Sequence, residues 1–354
     1  MPIAHTTLKT LSNVILDESS SVQHLRHALD RFANICSEVS GIVPDPSYDA
    51  WADDVFLESG LAINPNAAAQ CILDYQRSTV FIRGIYAAIK AARIRRPNTA
   101  IKILYAGCGP YASLLLPLLT QFEADELAVQ LLDIHPASLD SVSSLVTYFG
   151  LSEHNIQYQQ GDACEYQHHG ALHLIIAEVM QKALEQEPQF AVTANLASQL
   201  DSQGIFIPEK IDVELCLVHL KQEQALLGSG RDQAPKALSK TLNECQDRHP
   251  LGTLLSLNST SVLPLLQEAR QSALTTKLEL PPVTIRLPNI EYIDSYDAVM
   301  LTRIQVFERF KLTDYETDLT LPAVCHELQP LSADSSFVVS YQLGNYPRFN
   351  FVKT

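Results

Sequence analysis

Between residues 100 and 208 short apolar runs take turns with segments of helical pattern, and this alternation restricts the fold more than any other feature of the chain. The runs at 100–106, 127–134, 156–159 and 172–177 are strand-like, and 113–122, 138–149 and 188–200 are helix-like. Strands joined by crossovers of this length pair in parallel, because a tight turn cannot close a parallel pair. The predicted class is therefore α/β with a Rossmann-like sheet, in which ligands sit beyond the carboxyl ends of the strands.

Upstream, residues 1–65 carry a helical pattern at 22–39 followed by a loop-rich stretch, and read as a helical cap or lid. Residues 67–93 read as one amphipathic helix stopped by Arg96-Pro97-Asn98. After Pro208 the chain turns β-rich, at 212–220, 283–287, 298–310, 318–321 and 336–343, around a polar helical insertion at about 222–279. The predicted units are thus a cap at 1–65, a ligand-binding α/β domain at 66–208 and a β-rich domain at 209–354. A chain of 354 residues with 46% hydrophobic content can bury the core such units need.

The formal net charge of -15 argues against a nucleic-acid backbone as the main partner, since phosphate contacts need clustered Lys and Arg. No apolar stretch reaches the length of a membrane span and the N-terminus lacks a signal-peptide core, so the expected setting is cytoplasmic, away from the membrane. Seven scattered cysteines without a C-x-x-C pair read as reduced thiols. His154, Cys164, His168, His169 and His173 crowd together in sequence but lack a second ligand pair, so no metal is expected.

The first strand of the alternation runs into Tyr105-Ala106-Gly107-Cys108-Gly109, and Gly107 and Gly109 permit positive φ and close approach of a ligand to the backbone. Alone, Gly-x-Gly reads equally well as a structural turn. The second strand ends at Asp133, a carboxylate placed to accept from ribose hydroxyls, and the third ends at Gly161-Asp162-Ala163, near where an adenine amino group would lie. A dinucleotide would call for a third glycine where Ala112 stands, so a nucleoside without phosphates fits better. Over about 100–208 the chain resembles the class I S-adenosylmethionine-dependent methyltransferases. The resemblance implies their seven-stranded sheet and S-adenosyl-L-methionine as cofactor, with Gly107, Gly109, Asp133, Asp162 and Ala163 lining its site. Tyr105 stands where that family places an acid associated with the methionine amino end.

Glu178 and Glu187, nine residues apart, follow the fourth strand. Facing one pocket, they would form a paired acceptor for a planar bidentate cation such as a guanidinium. The competing reading is a solvated loop face that includes Glu185. Two segments resemble the protein arginine methyltransferases: Asp74-Tyr75-Gln76-Arg77-Ser78-Thr79 resembles their Asp-x-x-Arg-Thr helix, and Ala177-Glu178-Val179-Met180 the start of their double-glutamate loop. By that resemblance Arg77 binds the methionine carboxylate, and Glu178 and Glu187 are the catalytic clamp on a substrate guanidinium. Val179 replaces a tryptophan and no Thr-His-Trp loop is found, with His219, His249 and His326 unsupported as stand-ins. The implied activity is N-methylation of a guanidino group on a small molecule or peptide, with 43–66, including Trp51, Asp53, Asp54 and Glu58, folding over the site. Methyl transfer to another amine or hydroxyl metabolite, and a catalytically silent scaffold, stay open. The family also implies a homodimer formed through an arm near 222–279.

Overall fold

The computed structural model describes residues 3–44, 54–227, 247–272 and 278–354. The chain opens on α1 (Ile3–Leu16) and α2 (Val22–Ser40). The sequence reading misses α1, whose threonines weaken the helical signal, although Leu8, Leu11 and Ile15 recur at helical spacing and are buried. Ser21 caps α2 by accepting from His24 N–H, and Gly41 ends it in the left-handed region. A small hairpin of β1 (Val55–Leu57) and β2 (Gly60–Ala62) follows.

The helix expected at 67–93 is two helices, α3 (Pro65–Gln70) and α4 (Tyr75–Arg95), separated by a short 3-10 turn. Asp74 makes the break: it leaves helical geometry and its carboxylate accepts from Arg77 N–H, starting a new helix. At the other end of α4, Arg93 pairs with Glu126 and Arg96 with Asp201, fixing the helix against the sheet.

The sheet comprises β3 (Ile101–Ala106), β4 (Leu127–Asp133), β5 (Asn155–Gln160), β6 (Leu172–Ala177) and β7 (Leu200–Ile207). Their order is β5-β4-β3-β6-β7, parallel throughout. Every residue of β6 is buried, as a central strand covered on both faces must be. The sheet has five strands among the described residues, which corrects the seven expected: after β7 the chain departs at Pro208 into an antiparallel sheet. Residues 113–122 also depart from expectation, forming only a 3-10 turn at Leu116–Gln121. Pro117 starts that turn, and Leu114, Leu115, Leu116, Leu118 and Leu119 are buried all round it, so hydrophobicity there reports burial and not period. Helices α5 (Pro136–Tyr148) and α6 (Gln189–Leu196) complete the layers.

The β-rich part holds β8 (Lys210–Val218), α7 (Leu220–Leu227), β9 (His249–Leu257), α8 (Val262–Ser272) and β10 (Val283–Arg286). It continues with β11 (Asp297–Phe307), β12 (Phe310–Leu312), β13 (Ala323–Val324), β14 (Ser336–Gln342) and β15 (Arg348–Lys353). One sheet runs β12-β11-β8-β9 with β13 against β11, and a second runs β10-β14-β15. The insertion expected to be helical at 222–279 contains β9, an antiparallel partner of β8 whose Pro250, Gly252 and register shifts disguise the strand pattern. The rest of that expectation, at 228–246 and 273–277, lies outside the described residues. Arg248 bonds Glu223 and Asp314 while Arg303 bonds Asp314 and Glu214, a partly buried network tying α7, β8, β9, β11 and the loop after β12 together. Helix α4 also packs on this domain, and Gly84 lets it approach: a Cβ there would lie 2.6 Å from Val306 Cγ1. Among the described residues no helix is long and apolar enough to cross a membrane.

Candidate active site

In the order β5-β4-β3-β6-β7 the chain leaves β3 toward β4 on one side and returns to β6 on the other, so the loops after β3 and β6 diverge and leave a crevice. A cavity of about 570 Å³ occupies it. Arg77, Tyr105, Gly107, Gly109, Asp133, Asp162, Ala163, Glu178 and Glu187 all line this one space. Its size falls within the roughly 300–1,000 Å³ usual for small-molecule sites.

Gly107 has φ 66° and lies against the root of the loop after β6, so a Cβ there would overlap Val179 Cγ1. Gly107→Ala is therefore expected to cost roughly 1–3 kcal/mol through overpacking and to shift the urea midpoint accordingly. The buried Asp133 carboxylate accepts from Gly109 N–H at 2.8 Å and from His135 N–H at 2.9 Å. Burial raises its pKa against those two bonds; Cys108 Sγ also donates to Oδ2 at 4.0 Å, which leaves the free acceptor capacity for a ligand hydroxyl on Oδ1. Asp162 folds its own turn by accepting from Cys164 N–H at 2.8 Å, while the Ala163 carbonyl accepts from Asn195 of α6 at 3.0 Å. Burial drives the Tyr105 phenol well above its ordinary range, so it stands in the cavity as a neutral group and supplies no countercharge. Thr79 Oγ1 and Gln70 Oε1 belong to residues lining the cavity, and both atoms are buried without a hydrogen-bond partner among the described residues.

The two glutamates differ. Glu178 forms a two-pronged pair with Arg77, Nε to Oε1 at 3.1 Å and Nη2 to Oε2, and both side chains are only 7% exposed. Arg77 Nη1 donates to the Cys71 carbonyl at 3.2 Å, and its guanidinium lies 5.8 Å from the Phe81 ring centroid. A guanidinium has five N–H groups, so Arg77 retains donors for a further anion. Glu187, also 7% exposed, forms no ion pair among the described residues. Burial pushes its carboxyl up to about 7, with Asp54 adding to the rise and Gln181 and Arg77 opposing it.

The loop that carries Glu187 is held from several sides. Ala183, Leu184 and Gln186 take positive φ, each at a cost of about 1–3 kcal/mol for a residue with a Cβ. Contacts from elsewhere over-determine the loop: Thr302 Oγ1 accepts from Ala183 N–H at 2.7 Å, Tyr341 Oη donates to the Leu184 carbonyl, and Gln186 N–H donates to the Pro347 carbonyl at 2.8 Å. On the opposite flank, Gln189 of α6 bridges the Val179 N–H and the Ala177 carbonyl, both at 3.0 Å.

One further contributor escapes the sequence reading, and another falls within the 43–66 segment expected to fold over the site. Residues 315–319, after β12, line the cavity, and Asp318 N–H donates to Asp74 Oδ2 at 2.9 Å. This loop, and none of His219, His249 and His326, brings the β-rich domain to the site. Thr317 and Thr320 cap one another there, a Thr-x-x-Thr spacing that signals the turn although not its placement. The β1–β2 hairpin supplies Leu57, Leu61, Ala62 and Ile63 to the lining. Asp54 at its root bonds Asn64, Glu58 points to solvent, and Trp51 and Asp53 lie outside the described residues.

No protein-family model and no curated protein matches the chain. Among solved structures, the PRMT1 enzyme–prozyme heterotetrameric complex with AdoHcy of Trypanosoma brucei is similar at 13% identity and a TM-score of 0.48, over 80% of this chain and 96% of that one. Protein arginine methyltransferase 10 of Arabidopsis thaliana, in a uniquely open conformation, is similar at 11% identity and a TM-score of 0.42, over 76% of this chain and 87% of that one. Both are loose correspondences of layout, and the chemistry of the cavity rests on its own side chains.

Proposed function

We propose that this chain is an S-adenosyl-L-methionine-dependent N-methyltransferase acting on a guanidino group. The observation that carries the reading is the meeting, in one cavity, of nucleoside-type acceptors with a buried carboxylate poised near neutrality: Asp133 and Asp162 on one side, Glu187 on the other. The residues fit the cofactor. Asp133 has acceptor capacity on Oδ1 for a ribose hydroxyl, the Asp162–Ala163 turn borders the adenine position, Gly107 and Gly109 keep the floor clear, and the remaining Arg77 donors suit an amino-acid carboxylate. When bound, the cofactor supplies an electrophilic methyl group.

The chain's own side chains do the rest. Glu187, once ionised, holds a guanidinium by paired hydrogen bonds and aligns one nitrogen toward the donor side, where proximity and orientation contribute most of the acceleration. Its carboxylate then takes the proton that the nitrogen sheds on gaining a carbon substituent; a carboxyl near 7 suits a proton acceptor at neutral pH. Glu178, with Arg77 on its side-on edge, positions Arg77 and offers its outer lone pairs to the same guest.

Calorimetric titration with S-adenosyl-L-methionine, followed by a labelled-methyl screen over guanidines, amines and hydroxy compounds, tests this reading. Binding and transfer to guanidines are expected. Transfer confined to amines or hydroxyls would replace the guanidine assignment, and absence of cofactor binding would remove the enzyme reading.

A further inference from the structure

Resting on that reading, we infer that the guanidine acceptor is a free small molecule enclosed within the cavity, and not an arginine presented by a polypeptide chain. The argument starts from the run 59–63, which crosses the carboxyl ends of the strands as a strap. Ser59 Oγ donates to Cys164 Sγ at 3.0 Å, beside the Asp162 turn. The Ile63 carbonyl lies 3.0 Å from His135 Nε2, beside the Asp133 turn. Between them Leu61 N–H donates to the Gln186 carbonyl at 2.8 Å, next to Glu187. Gly60 presses on the same loop so closely that a Cβ would lie 2.8 Å from Pro188 N and 2.9 Å from Gln186 O.

An arginine in a polypeptide reaches a buried carboxylate only with its backbone within the length of its side chain, and such chains commonly engage free N–H and C=O groups of the receptor. At Gln186 the glutamate loop has no free N–H, because the Pro347 carbonyl of the β-rich domain accepts it, and its carbonyl already accepts one N–H from the strap. On another side the 315–319 loop lines the cavity, anchored through Asp74. Glu187 is buried to match. A free guanidine needs only the interior polar groups and displaces none of these bonds.

The test compares free L-arginine with an end-blocked arginine-rich peptide on the full chain, by calorimetry with S-adenosylhomocysteine present and by labelled-methyl transfer. The free guanidine is expected to bind and accept methyl at least tenfold better per guanidino group. Equal or better use of the peptide overturns the inference and leaves the guanidine assignment standing; transfer to neither while an amine accepts removes both. Gly60→Ala, which forces the strap off the loop, is expected to narrow the discrimination by about tenfold. Unchanged discrimination, with the strap shown displaced by faster amide exchange at Leu61, would likewise overturn the inference.

Discussion

Glu187→Gln is expected to make the protein more stable at pH 8 and no more stable at pH 4, while abolishing turnover. In the unfolded chain this carboxyl ionises near its ordinary 4.5, and in the fold burial holds it at about 7. Below 4.5 both states carry the proton and the group contributes no pH dependence. Between 4.5 and 7 the unfolded chain releases a proton that the folded chain keeps, so stability falls as pH rises, and above 7 the loss is complete. The displacement corresponds to about 3 kcal/mol. Glutamine escapes it, so the variant's thermal midpoint should exceed the parent's by several degrees at pH 8, converging as the pH is lowered. A midpoint that stays level at pH 8 would mean that the carboxyl titrates normally. Cofactor affinity should be nearly intact in the variant; loss of both together would mean that the two halves of the cavity are misassigned. The same displacement couples guest binding to protons: a cation seated on Glu187 should release about one proton at pH 6 and almost none at pH 8, read from calorimetry in buffers of different ionisation heat.

Arg77→Ala is expected to cost about 3–5 kcal/mol, because it leaves Glu178 charged, buried and alone. Urea unfolding at pH 8 measures it. Arg77→Lys should recover only part, since an ammonium cannot make the side-on pair with Glu178 while also reaching the Cys71 carbonyl. Removing both charges, in Arg77→Met with Glu178→Gln, should restore most of the stability yet not the binding of S-adenosylhomocysteine, which separates the structural part of the pair from its part in ligand recognition. Full stability loss in the double variant would show that packing on Phe81, and not charge, is what Arg77 provides. Arg77 also holds Glu187 down, so the alanine variant should move the pH-dependent guest binding to higher pH.

The parallel sheet was legible through β3, β4 and β6, whose apolar runs stand apart at crossover spacing; β6, buried at every position, announces itself by composition alone, whereas β5 is polar and mostly exposed. The cavity was legible through residues at strand ends, where the chain direction fixes which loops converge. What escaped has a common cause. The Arg77–Glu178 pair joins residues 101 apart, and nothing local marks Arg77 as the partner of that carboxylate. The 315–319 loop reaches the cavity because the β11–β12 hairpin is docked on α4, a tertiary relation with no sequence period. The expected α-helix at 113–122 failed because continuous leucine reports burial whatever the backbone does, and the single helix at 67–93 failed because Asp74 prefers to begin a helix than to sit inside one.

Asp74 also has a mechanical consequence. One of its oxygens receives the N–H of Arg77 and the other receives the N–H of Asp318, so a single carboxylate joins the first turn of α4 to a loop of the β-rich domain. A displacement of that domain is transmitted to the root of the helix that carries Arg77. Asp74 thereby works as a pivot pin, and whatever grips the far side of the β-rich domain has a lever on the arginine paired with Glu178.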